Sequence, residues 1–367
     1  MCTRGDHTDD FIRFLRLAAA NGHAHAEYKL AWKCFHGHKE LRENRAEAIP
    51  LLHNAAAKGY VKPLRILGEL YENGSGVPQD YSKAAKYFLA CRSNGAVYVN
   101  WRLARMYELG LGVVQDSAEA IRLYELVHSH WTQPHKNDES PILEALCRLY
   151  RVAADQGDAG AQYKLGKLID EDVAWHQSTR FKELTKKGKF VVKTVPCGNQ
   201  AEAVRYIRLA ADQGHKDAQY HLGSILHSGK KEVKDGVEAL RYYRLAADQG
   251  HLRALEKMAY LFENGCEGVE KDFKEAFRLF RLLAEKAEAL EDMEGDEGVK
   301  ESMKVLKSQA QESLGFFYEK GMGVEHNREE AIRLYQLSGT SHLHEELTRL
   351  GHASAEDAAT VTVTVTS

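Results

Sequence analysis

The chain has 367 residues, 44% apolar and 28% charged, with a formal net charge of −3 at pH 7. That balance excludes a bulk electrostatic attraction to nucleic acid or to an anionic membrane. Its six Cys show no CxxC pair and no regular spacing, which argues against a disulfide framework or a thiolate zinc site and fits thiols in a reducing compartment.

No run approaches the roughly 18 uninterrupted apolar residues of a membrane helix. The polar start MCTRGDHTDDFIRF lacks the apolar stretch of a secretory signal. A cytoplasmic location without membrane insertion is therefore expected.

Residues 1–9 read as flexible. A solitary helix is expected over about 10–22, ending in LAAANGH and carrying Phe11 and Phe14 as a terminal cap or a docking surface. Pairs of elements follow. The first members are AHAEYKLAWKCFHG (24–37), VKPLRILGELYENG (61–74), VYVNWRLARMYELG (97–110), AGAQYKLGKLI (159–169), KDAQYHLGSILHSG (216–229), LRALEKMAYLFENG (252–265) and SQAQESLGFFYEKG (308–321). The second members are anchored on Ala48, Ala84, Ala120, Ala203, Ala239, Ala276 and Ala331, and an extra second member, EALCRLYRVAADQG, lies at 144–157.

Apolar residues recur three and four apart, as in Ala239, Tyr242, Tyr243 and Ala246, and Ala, Leu, Glu and Arg fill the rest. Both members therefore read as helices. Each first helix centres on a core residue (Leu30, Leu67, Leu103, Leu165, Leu222, Met258, Leu314), followed by a small one such as Gly68, Gly166, Gly223 or Gly315. Asp80, Asp116 and Asp272 stand where they cap the second helix. AADQGH at 210–215 and 246–251, with AADQGD at 153–158, closes the second helix; its Ala pair permits close approach and Gly250 is the stop. Each pair has an apolar face that only stacking can bury, which yields an α-solenoid.

Ala218, Tyr220, Leu222, Gly223, Ala239, Tyr243, Ala246, Ala247 and Gly250, with Gly76-Val77-Pro78-Gln79-Asp80, form a pattern that resembles the Sel1-like repeat, a relative of the tetratricopeptide repeat. The resemblance implies an all-α, right-handed superhelical solenoid over 10–352 that acts as an adaptor, in signalling or protein quality-control complexes. Secreted bacterial relatives with paired Cys in each repeat are a poor match.

Insertions at 128–142, 171–200 and 288–304 break the period, and the tail 353–367 reads as disordered. The stretch KFVVKTV in the second insertion has strand propensity, and the third is expected to extend a helix and then loop out. His128, His130 and His135 are the one cluster that invites a metal, but they lack a fourth ligand and read as solvated loop. The GxG turns follow helices, which makes them helix stops and not phosphate loops.

Helical geometry points elsewhere. Offsets of −5, −2, +2 and +5 from each core Leu lie on the opposite face, which lines the concave groove of tetratricopeptide-like solenoids. In unusual number this face collects aromatics, the commonest interface anchors together with Arg. The expected partner-binding residues are Tyr28, Trp32, Phe35, Arg65, Glu69, Tyr98, Trp101, Arg105, Tyr220 and Tyr260. Tyr28, Tyr220 and Trp101 share a repeat column, so they are also candidates for packing between neighbours. The reading is a non-enzymatic scaffold, without cofactor, metal or nucleic acid, that binds a protein or extended peptide. A regulatory subunit binding through its inserted loops and a metal-assisted hydrolase are the alternatives.

Overall fold

The computed structural model describes residues 6–37, 44–92, 97–130, 140–177, 198–229, 234–293 and 296–339. These hold sixteen α-helices and, among the described residues, no strand beyond one isolated bridge, Cys266–Val269. In chain order they are α1 (Asp6–Ala20), α2 (Ala24–His36), α3 (Arg45–Ala57), α4 (Val61–Asn73), α5 (Tyr81–Cys91), α6 (Val97–Leu109), α7 (Ser117–His130), α8 (Ser140–Asp155), α9 (Ala159–Gln177), α10 (Gln200–Asp212), α11 (Lys216–Ser228), α12 (Gly236–Asp248), α13 (Leu252–Asn264), α14 (Phe273–Met293), α15 (Glu297–Lys320) and α16 (Arg328–Ser338). The chain divides into two compact units, Met1–Tyr150 and Arg151–Ser367.

In the first unit α2 pairs with α3, α4 with α5 and α6 with α7, and α1 lies against α2. Leu30, Leu67 and Leu103 are buried at the pair centres. Gly68 explains how closely the helices of a pair approach, since a Cβ there would run into the Phe88 ring. Asp80 and Asp116 accept the Lys83 and Glu119 amides at 2.9 and 3.0 Å, as their positions predict.

The second unit repeats the scheme with α9/α10, α11/α12, α13/α14 and α15/α16. Leu165, Leu222, Met258 and Leu314 form its core line. A Cβ on Gly223 would stand 2.8 Å from the Tyr243 ring, one on Gly315 2.8 Å from Tyr335, and one on Gly166 2.7 Å from Ile207. Ala239 is fully buried against this contact.

The hexapeptide does more than stop a helix. Asp212 reaches forward and accepts the Tyr242 hydroxyl at 2.7 Å, as Asp155 accepts that of Tyr206 at 2.9 Å. The Gln reaches back to the first helix of its own pair: Gln213 donates to Gln162 at 2.7 Å and Gln249 to Gln219 at 2.8 Å. The inner Gln of each couple donates in turn to a carbonyl of the preceding second helix, Ala154 at 3.0 Å and Ala211 at 3.1 Å. Gly250 turns the chain at φ +84°. His215 and His251 cap the next helix by accepting the Ala218 and Ala254 amides at 3.3 and 3.2 Å, and the His251 ring stacks on Tyr220 at 4.4 Å.

The first two insertions differ from expectation in being partly helical, whereas the third extends a helix as expected. α7 runs through His130, so His128 and His130 lie on its last turn and not in a loop. α9 continues to Gln177. Residues 288–304 lengthen α14 and start α15, where Asp296 accepts the Gly298 amide at 2.7 Å. His135, the stretch KFVVKTV and the tail 353–367 lie outside the described residues.

Candidate protein-docking face

In the first unit α2 and α6 carry the aromatic residues singled out from the sequence, and α4 carries Arg65 and Glu69. On α2, Tyr28 is half-buried and meets Tyr60 edge-on at 5.3 Å, while His25 Nδ1 lies 2.9 Å from the Tyr60 hydroxyl. Trp32 remains 43% exposed, with its ring 3.9 Å from that of His36. Phe35 is half-buried beneath the Arg45 guanidinium, 5.2 Å from its ring centre.

On α4, Arg65 and Glu69 form an ion pair of 2.5 Å, one helical turn apart. On α6, Tyr98 is 48% exposed, Trp101 half-buried and Arg105 exposed. Arg102 organises this end. It pairs with Glu72 of α4, donates to the Tyr98 hydroxyl, and lies over the Tyr98 and Trp101 rings at 4.8 and 5.8 Å. Its offset of −1 from Leu103 falls outside the four offsets used, yet an Arg beside two aromatics one turn apart is itself a readable signal.

Glu108 stands at offset +5 from Leu103, a position on the same side of the helical wheel. It is buried, accepts the Tyr124 hydroxyl at 2.9 Å, and is held by Arg148 of α8. It is an anchor between α6, α7 and α8.

The second unit uses the equivalent positions for packing. Tyr220 is half-buried under His251, and Tyr260 is half-buried with its ring edge-on to Phe280 at 5.3 Å and Lys257 above it. Glu256 is buried. Burial pushes the Tyr220 and Tyr260 hydroxyls up from their ordinary pKa.

His130 spends its Nδ1–H on the Leu126 carbonyl at 2.7 Å. Among the described residues no three His, Cys, Asp or Glu side chains come together as a metal site, and no helix is long and apolar enough to cross a membrane.

Seven segments, 24–60, 64–90, 97–126, 187–215, 216–251, 252–287 and 308–340, match the family model of the Sel1 repeat. The chain belongs to the Sel1 repeat family. The Sel1 segments fall in both units and leave α1, α8 and α9 outside them. A stretch of 74 residues is 32% identical to the ERAD-associated E3 ubiquitin-protein ligase component HRD3A of Arabidopsis thaliana; it covers 20% of this chain and 11% of that protein. A Sel1 repeat protein of Oxalobacter formigenes is 23% identical, with 93% of this chain and 90% of that one covered and a TM-score of 0.38. A protective antigen of uropathogenic Escherichia coli is also 23% identical, with 92% and 82% covered and a TM-score of 0.34.

Proposed function

We propose that this protein is a non-enzymatic adaptor that docks a protein or an extended peptide on the α2–α4–α6 face of its first unit. Sel1 repeat proteins are commonly protein-interaction scaffolds and are generally non-catalytic. The observation that carries the reading is the pair Trp32 and Tyr98. Each keeps close to half of its surface exposed, on a face where Phe35, Arg65, Glu69 and Trp101 are held by ion pairs or ring contacts. Ordered aromatics on a fixed scaffold lose little entropy on binding. Arg105 and the Arg65–Glu69 pair supply the polar rim that selects among partners. Service in a protein quality-control complex is the reading nearest to the HRD3A match.

The test is affinity capture from native lysate with the wild type beside a Trp32→Ala, Tyr98→Ala double variant, both checked for helicity. Loss of about 2 kcal/mol per anchor makes bound partners fall below detection in the variant. An unchanged set of captured proteins overturns the docking face. Capture that survives the double variant but is lost on deleting residues 176–198 moves the binding to the inserted segment.

A further inference from the structure

Aligning LAAANGH (17–23) with LAADQGH (209–215) places α1 in register with α10. Phe11 then stands at the position of Ala203, Phe14 at that of Tyr206 and Leu15 at that of Ile207. α1 behaves as a second helix in other respects: Arg16 faces Glu47 at 3.6 Å, as Arg208 faces Glu238 at 3.1 Å one pair further along. In α10 these three positions are 0%, 3% and 0% exposed, because α9 covers them and Tyr206 reaches Asp155 on α8. In α1 no helix among the described residues covers the outer two of these positions: Phe11 and Phe14 are 45% and 65% exposed, while Leu15 is buried at 8%. Leu17 is exposed much as its counterpart Leu209 is, so it is ordinary repeat surface.

Beside this face lies a shallow depression of about 340 Å³, lined by Phe11, Tyr28, Lys29, Trp32 and Lys33. The second unit shows what fills the equivalent place. There Tyr163 of α9 lies 4.8 Å from the ring of His215 and 6.2 Å from that of His221, the counterparts of His23 and Lys29. The rim is cationic. Arg13 and Lys29 are exposed, Lys33 Nζ lies 5.4 Å from the Phe11 ring centre, and none of the three forms an ion pair among the described residues.

We propose that the uncovered face of α1 and the depression next to it dock an α-helix of a partner protein, an amphipathic helix that presents an aromatic side chain flanked by carboxylates. The helical shape follows from what covers α10, the aromatic from Tyr163, and the carboxylates from charge complementarity to Arg13, Lys29 and Lys33. Phe11 in place of an Ala makes the site wider than an internal contact of the repeat, so the occupant is not a simple copy of α9.

The probe is a synthetic amphipathic helical peptide of about 16 residues, with Leu and one Trp on its apolar face and Glu beside them, in the helix-in-groove mode. A second peptide has Lys in place of each Glu. Both are titrated into the full chain by calorimetry. The acidic peptide is expected to bind at least about tenfold more tightly than the basic one. Phe14→Glu is expected to weaken it by about tenfold or more, and Lys29→Glu with Lys33→Glu to reverse the preference. All these residues are surface positions, and circular dichroism verifies that each variant keeps its helicity. Equal binding of the two peptides, or wild-type affinity in Phe14→Glu, overturns the proposal. A dimer in sedimentation velocity that Phe14→Glu dissociates also overturns it, by assigning the face to a second copy. Trp32 borders both sites, so Tyr98→Ala alone tests the α2–α4–α6 face and Phe14→Glu tests this one, and either can fail alone.

Discussion

The two units solve one problem with different chemistry. In the second, Gln249 meets Gln219, and both ends of the inner amide are engaged: its oxygen accepts from Gln249 and its nitrogen donates to the Ala211 carbonyl. In the first, the same two positions hold Lys58 and Glu27, which pair at 2.7 Å with Glu27 almost entirely buried. One Glu27 carboxylate oxygen, Oε2, is buried there without a hydrogen-bond partner. An amide couple closes this joint with no net charge to desolvate. An ion pair does so only at the cost of burying a carboxylate. The next position differs too: Tyr60 stands at one joint where His251 stands at the other. The joint that tolerates imperfect satisfaction belongs to the unit that leaves Trp32, Tyr98, Phe11 and Phe14 exposed.

Leu67 and Leu222 are both fully buried at pair centres, so truncation of either to Ala is expected to cost about 2–5 kcal/mol. If the units fold independently, Leu67→Ala lowers hydrogen-exchange protection in the first and Leu222→Ala in the second. Loss of protection in both from either variant would show that the comparison is between parts of one cooperative block.

The joints themselves give the next effect. Lys58→Met strands the Glu27 carboxylate and is expected to cost about 3 kcal/mol, the penalty of an unpaired buried charge. Glu27→Gln with Lys58→Gln should recover most of that loss by importing the amide couple. Gln219→Glu alone should destabilise the second unit, with Gln249→Lys restoring it. Urea titrations arranged as two double-mutant cycles measure both swaps. Strictly additive cycles would mean that the joints are not the coupled pairs their geometry indicates.

Some of this was readable beforehand and some was not. The pairs, the small residue after each core Leu and the capping Asp follow from spacing and backbone chemistry, which are local. The roles of Gln213, Gln249, Asp212 and His251 depend on partners 30 or more residues away, so the hexapeptide showed its recurrence without its contacts. The face offsets found Trp32 and Tyr98 correctly as exposed. They also placed Glu108 there, because a helical wheel of α6 knows nothing of Arg148, which α8 brings across from 40 residues on. Tyr220 shares the wheel position of Tyr28 and Tyr260 that of Trp32, yet both are half-buried against neighbouring rings.

Caps supply a smaller effect that should not distinguish the units. Asn44 accepts the Glu47 amide at 3.2 Å and Asn199 the Glu202 amide at 2.9 Å. Either Asn→Ala is expected to cost about 1 kcal/mol. A large difference between the two, read from thermal unfolding, would mean that the units differ in more than their joints.

Acidity provides the finest distinction. Burial, reinforced by Lys216 and Arg253 and opposed by Asp217, holds His251 below its ordinary pKa, and its Nδ1 must be unprotonated to cap α13. A His whose pKa is lowered on folding stabilises the fold fully above about pH 6.5, its unfolded value, and loses that contribution as pH falls. Protection of the Ala254 amide, corrected for the intrinsic exchange rate, should therefore fall as the pH drops from about 7.5 through about 6.5 and below, where the unfolded chain gains the proton first. The start of α4, next to Tyr60, should show no such change. His251→Tyr should abolish the response, and an Ala254 amide that ignores pH in the wild type would remove His251 from this role.

Identical joints also bear on how such a chain changes length over generations. The letters AADQGH recur 36 positions apart, at 210 and 246. Misaligned recombination between their two coding copies removes or adds one whole period and leaves the same six letters at the seam. In the shortened chain Tyr206 still finds Asp155, and the residue after the seam is still the Leu252 that followed it before. A repeat can thus be gained or lost in one event without any compensating substitution, whereas the first unit, whose joints have diverged to Lys58 and Tyr60, offers no such seam.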